Sequence, residues 1–201
     1  MKDQDIPRLT PDRAKEETEK IISFLQQHLN PDGKAVIGLS GGIDADVAAR
    51  LTCRAIGPDR LKLFIAIQAG LENKYIINAR NTAAELGTHL AEIDLSHLSL
   101  PFLSALADAD SLSNFRPEGL LDPAHIKSSL RTSVFSMYVE RGYLVVGTSN
   151  KTEYDLGFFL PLGDGAWHLG PLAHLYKTQI FDLARYLGTA ESVIRQQPSG
   201  G

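Results

Sequence analysis

The run Val36-Ile37-Gly38-Leu39-Ser40-Gly41-Gly42-Ile43-Asp44-Ala45-Asp46-Val47-Ala48-Ala49-Arg50 leaves few folds open to this chain. An apolar, β-prone segment from Ala35 to Leu39 meets Ser-Gly-Gly and turns directly into an alanine-rich helical pattern. That order predicts a strand, a tight glycine turn and a helix N-terminus. Glycines let backbone N–H groups turn inward and approach an anion, and the helix start adds its positive dipole end. Ser40 offers a hydroxyl to a phosphate, and Asp44 either caps the helix or holds a magnesium ion. Asp46 is close to the same anion site, but helix geometry aims it away. No Gly-Lys-Ser/Thr follows and the spacing is not Gly-x-Gly-x-x-Gly, so neither of those phosphate loops applies. Taken alone, the stretch also fits a strand-to-helix turn that needs glycine only for its geometry.

The rest of the chain alternates in the same way. Thr10-Pro11-Asp12 reads as an N-cap, a proline at the first helical position and an acid in the first turn, after a loose arm over residues 1–9. Ala14, Ile21, Ile22, Leu25 and Leu29 make one face of the helix that follows, and Asn30-Pro31-Asp32-Gly33 stops it. The segment 61–67 is a strand apolar enough for a sheet covered on both faces, a helix runs from about Asn73 to Leu86, and 88–93 is a third strand. Asp122-Pro123 opens a long helix with Ile126, Leu130, Val134, Met137 and Tyr138 along one face. Tyr143 to Val146 is the next strand, and Gly147-Thr148-Ser149-Asn150 leaves its carboxyl end. The expectation is a single α/β domain over residues 1–201, a doubly wound parallel sheet of about five strands with helices on both faces. Ligands of such sheets bind beyond the carboxyl ends of the strands, which brings Ser40–Asp44 and Thr148–Glu153 to one edge.

Composition excludes several classes. The 201 residues carry a net charge of −4, so there is no basic surplus to attract nucleic acid. No apolar run approaches the ~20 residues of a membrane span, and Met1-Lys2-Asp3-Gln4-Asp5 does not open a signal peptide. A cytoplasmic location is expected. The single cysteine, Cys53, excludes an internal disulfide and reads as a small apolar residue in the helix after the glycine loop. His28, His89, His97, His125, His168 and His174 lack metal-ligand spacing, which argues against a zinc site.

The loop Ser40-Gly41-Gly42-Ile43-Asp44-Ala45 resembles the pyrophosphate-binding loop Ser-Gly-Gly-x-Asp-Ser of the ATP-pyrophosphatase superfamily, with Ala45 in place of the final serine. The resemblance narrows in Val145-Val146-Gly147-Thr148-Ser149-Asn150-Lys151-Thr152-Glu153, in Leu156-Gly157-Phe158-Phe159 and in Gly163-Asp164-Gly165. It continues through Pro171-Leu172-Ala173-His174-Leu175-Tyr176-Lys177-Thr178-Gln179-Ile180 and the segment 183–188. In this order the motifs are similar to those of NAD synthetases of the ammonia-dependent type, over roughly residues 10–201. That family adenylates the carboxylate of deamido-NAD with ATP, releases pyrophosphate, and lets ammonia attack the acyl adenylate. The resemblance implies ATP contacts at Ser40, Gly41, Gly42, Asp44, Ala45, Thr148, Lys177 and Ser199, magnesium carboxylates at Asp44 and Glu153, and acceptor contacts at Arg131 and Asp164. It also implies a homodimer built on the helix over 123–141. Without a nitrilase-like domain in this sequence, ammonia is expected free or from a separate glutaminase.

The differences from the family gather on the acceptor side. Ser129 stands where family members commonly have a second arginine, and Pro161 and His168 align with a lysine and an aspartate that bacterial members use for deamido-NAD. The sequence ends at Pro198-Ser199-Gly200-Gly201, where members continue into a mobile loop and a helical tail with a His-Lys pair; this tail is expected to be missing. Two alternatives stay open: a paralogue that amidates another carboxylate, and an ATP-binding protein with little catalysis.

Overall fold

The computed structural model describes residues 7–29, 31–116 and 124–196. Ser199, Asp122 and Pro123 fall outside them. Helix α1 (Pro11–Leu29) starts as its sequence predicts, with the Thr10 hydroxyl accepting from Arg13 N–H at 3.3 Å. It buries Ala14, Ile21, Leu25 and Leu29. Strand β1 (Lys34–Gly38) leads into helix α2 (Ile43–Ile56) through the glycine turn. Strand β2 (Leu61–Ile67), helix α3 (Asn73–Glu85), strand β3 (Leu90–Asp94), helix α4 (Ser99–Ala109), helix α5 (Ala124–Val139) and strand β4 (Tyr143–Val145) follow. Three further helices close the described chain: α6 (Lys151–Leu156), α7 (Lys177–Leu187) and α8 (Glu191–Ile194).

The sheet has four strands in the order β3-β2-β1-β4, all parallel. About five strands were expected from the sequence. What would extend the sheet beyond β4 is reduced to one parallel bridge, Val146 to Leu169. Alternation along β1 decides the layers. Ala35 and Ile37 face the core shared with α1, α2 and α7, whereas Val36 faces Phe64, Val145 and the aromatic side of α5. There Phe64 meets Phe135 edge-on at 4.9 Å and stacks on Tyr138 at 5.9 Å. Met137, expected on the buried face of α5, is 54% exposed, because the sheet contacts the Phe135 side of the helix.

The N-terminal arm is not loose over residues 7–9. The Arg8 guanidinium forks onto Asp182 of α7 at 2.6 and 2.8 Å, Leu9 N–H donates to the same carboxylate, and the Thr178 hydroxyl donates to the Pro7 carbonyl. With strands running outward on one side of β1 and β4 returning on the other, the strand order reverses between β1 and β4. A crevice opens at that switch point, beyond the carboxyl ends of the strands.

Candidate functional site

The crevice is a cleft of about 520 Å³ between the glycine turn, α5, the start of α6 and the start of α7. One end of it begins at Ser40. Gly41 has φ +75°, and a Cβ there would lie 2.2 Å from the Tyr75 carbonyl oxygen, so only glycine lets the chain pass between α3 and the cleft. Gly42 is the N-cap of α2 and carries no side-chain cap. The first N–H groups of α2 are therefore left for a ligand, at the positive end of the helix dipole. Ala45 does not line the cleft: its methyl is 1% exposed and packs in the core.

Asp44 is the junction of the site. Its Oδ1 accepts from Asn150 Nδ2 at 3.1 Å, and its Oδ2 is held by the Lys177 ammonium. Lys177 occupies the first turn of α7, where a cation opposes the helix dipole, and the Asp44 carboxylate offsets that. Asn150 does more than the sequence implied. Its Oδ1 caps α6 by accepting from Glu153 N–H, and Glu153 Oε2 accepts in return from Asn150 N–H, each at 3.1 Å. Asn-x-x-Glu is a capping-box pattern legible in the sequence, but the reach of Asn150 to Asp44 is not. Lys177 N–H donates to Thr152 Oγ1 at 3.0 Å, so the starts of α6 and α7 are pinned side by side. Thr148 lines the cleft between these groups.

Glu153 sits among like charges. Burial pushes its carboxyl above the ordinary glutamate value, Asp44 and Asp164 add to the rise, and the Asn150 N–H and Lys177 pull it back only in part. Two carboxylates facing one cleft suit magnesium, which keeps several waters and is held by one or two carboxylates together with substrate phosphates. Among the described residues no group of three or more His, Cys, Asp or Glu side chains gathers as a metal would require from protein alone. The residues thus fit an ion that arrives with a nucleotide.

At the other end, Arg131 of α5 pairs with Asp164 at 2.5 Å and reaches Ser128 Oγ at 3.2 Å. Leu160 N–H holds the second Asp164 oxygen at 3.2 Å. A Cβ on Gly163 would lie 1.8 Å from Ser128 Oγ, so glycine is what lets this loop close on α5. Ser129, Pro161 and His168 are all exposed and none lines the cleft. His168 has a structural task instead: its Nδ1 accepts from Val145 N–H at 3.0 Å, closing the free edge of β4.

A second charged cluster lies behind α2 and was not legible as one in the sequence. Asp46, 3% exposed, accepts from Arg50, from the Thr82 hydroxyl of α3 at 2.7 Å and from the Thr189 hydroxyl after α7 at 2.5 Å. The aim away from the anion site follows from its place on the helix; its partners do not.

Comparison with known proteins agrees with this arrangement. The family model for NAD synthase matches residues 17–201. The NH(3)-dependent NAD(+) synthetase of Picrophilus torridus is 36% identical over 186 residues, covering 91% of this chain and 70% of that protein. Among solved structures, the NMN synthetase of Francisella tularensis superposes with a TM-score of 0.78 at 26% identity, over 96% of this chain and 76% of that one. The NH3-dependent NAD synthetase of Campylobacter jejuni gives 0.76 at 26% identity, over 90% and 76%. With the family model spanning almost the whole chain and the cleft carrying the loop, the carboxylates and the lysine in one place, this protein belongs to the NAD synthase family.

Proposed function

We propose that this protein is an ATP-dependent, AMP-forming amide ligase that converts deamido-NAD and ammonia to NAD. The observation that carries the reading is the convergence on Asp44: the glycine turn, Asn150 before α6 and Lys177 of α7 meet there from positions 106 and 133 residues apart. Adenylation needs a cradle for pyrophosphate, a cation on the phosphates and a way to spread charge as the α–β bond breaks. Ser40, the amides of Gly41 to Ala45 and Lys177 form the cradle, with Thr148 and Ser199 as further nucleotide contacts. Asp44 and Glu153 would hold magnesium, which supplies charge neutralisation at the phosphates. Lys177 then exchanges its carboxylate partner for a phosphate oxygen. Arg131 and Asp164 orient the acceptor, whose carboxylate attacks the α-phosphorus. Ammonia, free or from a separate glutaminase, displaces AMP from the acyl adenylate. The protein works as a cytoplasmic homodimer.

A second reading changes only the acceptor. The likeness to a protein named NMN synthetase, together with the exposure of Ser129, Pro161 and His168 outside the cleft, favours nicotinate mononucleotide as the carboxylate. One assay separates the two. The protein is incubated with ATP, magnesium and ammonia, with either acid, and AMP, pyrophosphate and the amide are measured. NAD formed at the higher kcat/KM supports the first reading, NMN the second, and ATP binding without AMP release would overturn both.

A further inference from the structure

The glycine turn is held from behind by a residue that does not face the cleft. Asn78 of α3 is 6% exposed. Its Nδ2 donates to the Gly41 carbonyl at 3.3 Å and to Gln196 Oε1 at 2.7 Å, and its Oδ1 accepts from Ser192 of α8 at 3.4 Å. In a trans peptide the carbonyl and the following N–H point in opposite directions. Drawing the Gly41 carbonyl toward α3 therefore turns the Gly42 N–H away from α3. It points to the cleft side, where it meets Ser40 Oγ at 3.2 Å. Ser40 and Gly42 line the cleft, whereas Gly41 is wedged against the Tyr75 backbone of α3.

We infer that Asn78 is the positioning residue of the anion cradle: it fixes the plane of the Gly41–Gly42 peptide so that an N–H rather than a carbonyl faces the leaving pyrophosphate. A flipped peptide would place a partial negative charge against that anion. The same side chain links the turn to α8 through Ser192 and Gln196, so the end of the described chain supports the cradle from behind. The inference rests on the reading of this turn as a pyrophosphate site.

The test uses calorimetric titration of the full chain with inorganic pyrophosphate and, separately, with AMP, which does not need the cradle. Asn78→Asp keeps the shape and sets an oxygen against the Gly41 carbonyl. Pyrophosphate affinity should fall at least about tenfold, with AMP affinity unchanged. Ser192→Ala, at an exposed position that leaves the core intact, should shift pyrophosphate in the same direction by about two- to threefold. It decides the matter if Asn78→Asp fails to fold. Equal losses of pyrophosphate and AMP affinity, or none in either variant, would overturn the positioning role. Wild-type protein that bound neither ATP nor pyrophosphate would instead overturn the cradle, and this inference with it.

Discussion

At the cleft, Glu153 is a carboxylate that burial holds above its ordinary pKa, with Asp44 and Asp164 adding to the shift. A raised folded pKa means that stability is full below the unfolded value, about 4.3, and falls as the pH rises through the folded value. In the metal-free protein, Glu153→Gln should therefore raise the melting temperature at pH 7, with the gain fading below about pH 4. Glutamine can still accept from Asn150 N–H, so the α6 cap survives. The same variant, like Asp44→Asn, should lose pyrophosphate release at least a hundredfold, about 2.7 kcal/mol of transition-state stabilisation. Near-full release in either would remove that side chain from the proposed magnesium ligands. Ala45, which stands where the resembling loop has a serine, buries its methyl in the core.

Elements that were legible in the sequence are those whose signals are local. The glycine turn and the Thr10 cap of α1 each depend on residues within a few positions of one another. The edge of β4 was not legible, because it depends on a ring that returns from residue 168. His168 departs from the residue that bacterial members use for substrate, and here its Nδ1 accepts a strand N–H. His168→Ala should cost about 1 kcal/mol in a denaturant melt and leave the KM for the acceptor unchanged. A raised KM at unaltered stability would return His168 to the substrate site. Asp46 makes the same point more strongly. It joins α2 to α3 and to the turn after α7 from a buried position, so Asp46→Ala should lose about 3 kcal/mol: the Thr82 and Thr189 hydroxyls lose their acceptor, and Arg50 keeps Glu85 at 2.5 Å. A change under about 1 kcal/mol would show that the cluster is replaceable by packing alone.

For the molecule as a whole, helices α4 and α5 leave large apolar side chains exposed among the described residues. Leu100 and Phe102 of α4 and Met137 of α5 are 64%, 47% and 54% exposed, on helices that contact one another. Exposed apolar patches of this kind mark association sites. The proposed homodimer through α5 should appear by light scattering at micromolar concentration, and Met137→Glu should convert it to monomer. A monomeric wild-type protein would sink the pairing.

The single tryptophan, Trp167, packs so closely on the backbone just after β4 that a Cβ on Gly147 would lie 2.5 Å from its ring. It therefore reports on the moment in refolding when β4 docks beside β1. Parallel pairing between such distant segments closes slowly, because the loop entropy is lost before the contacts form. β1, β2 and β3 can pair early with the glycine turn already shaped, yet Asn150 and Lys177 reach Asp44 only after the chain has come back across the sheet. In stopped-flow refolding, competence to bind ATP should return with the same rate constant as the slow phase of tryptophan fluorescence. Binding regained ahead of that phase would mean that the first half of the fold makes a nucleotide site by itself.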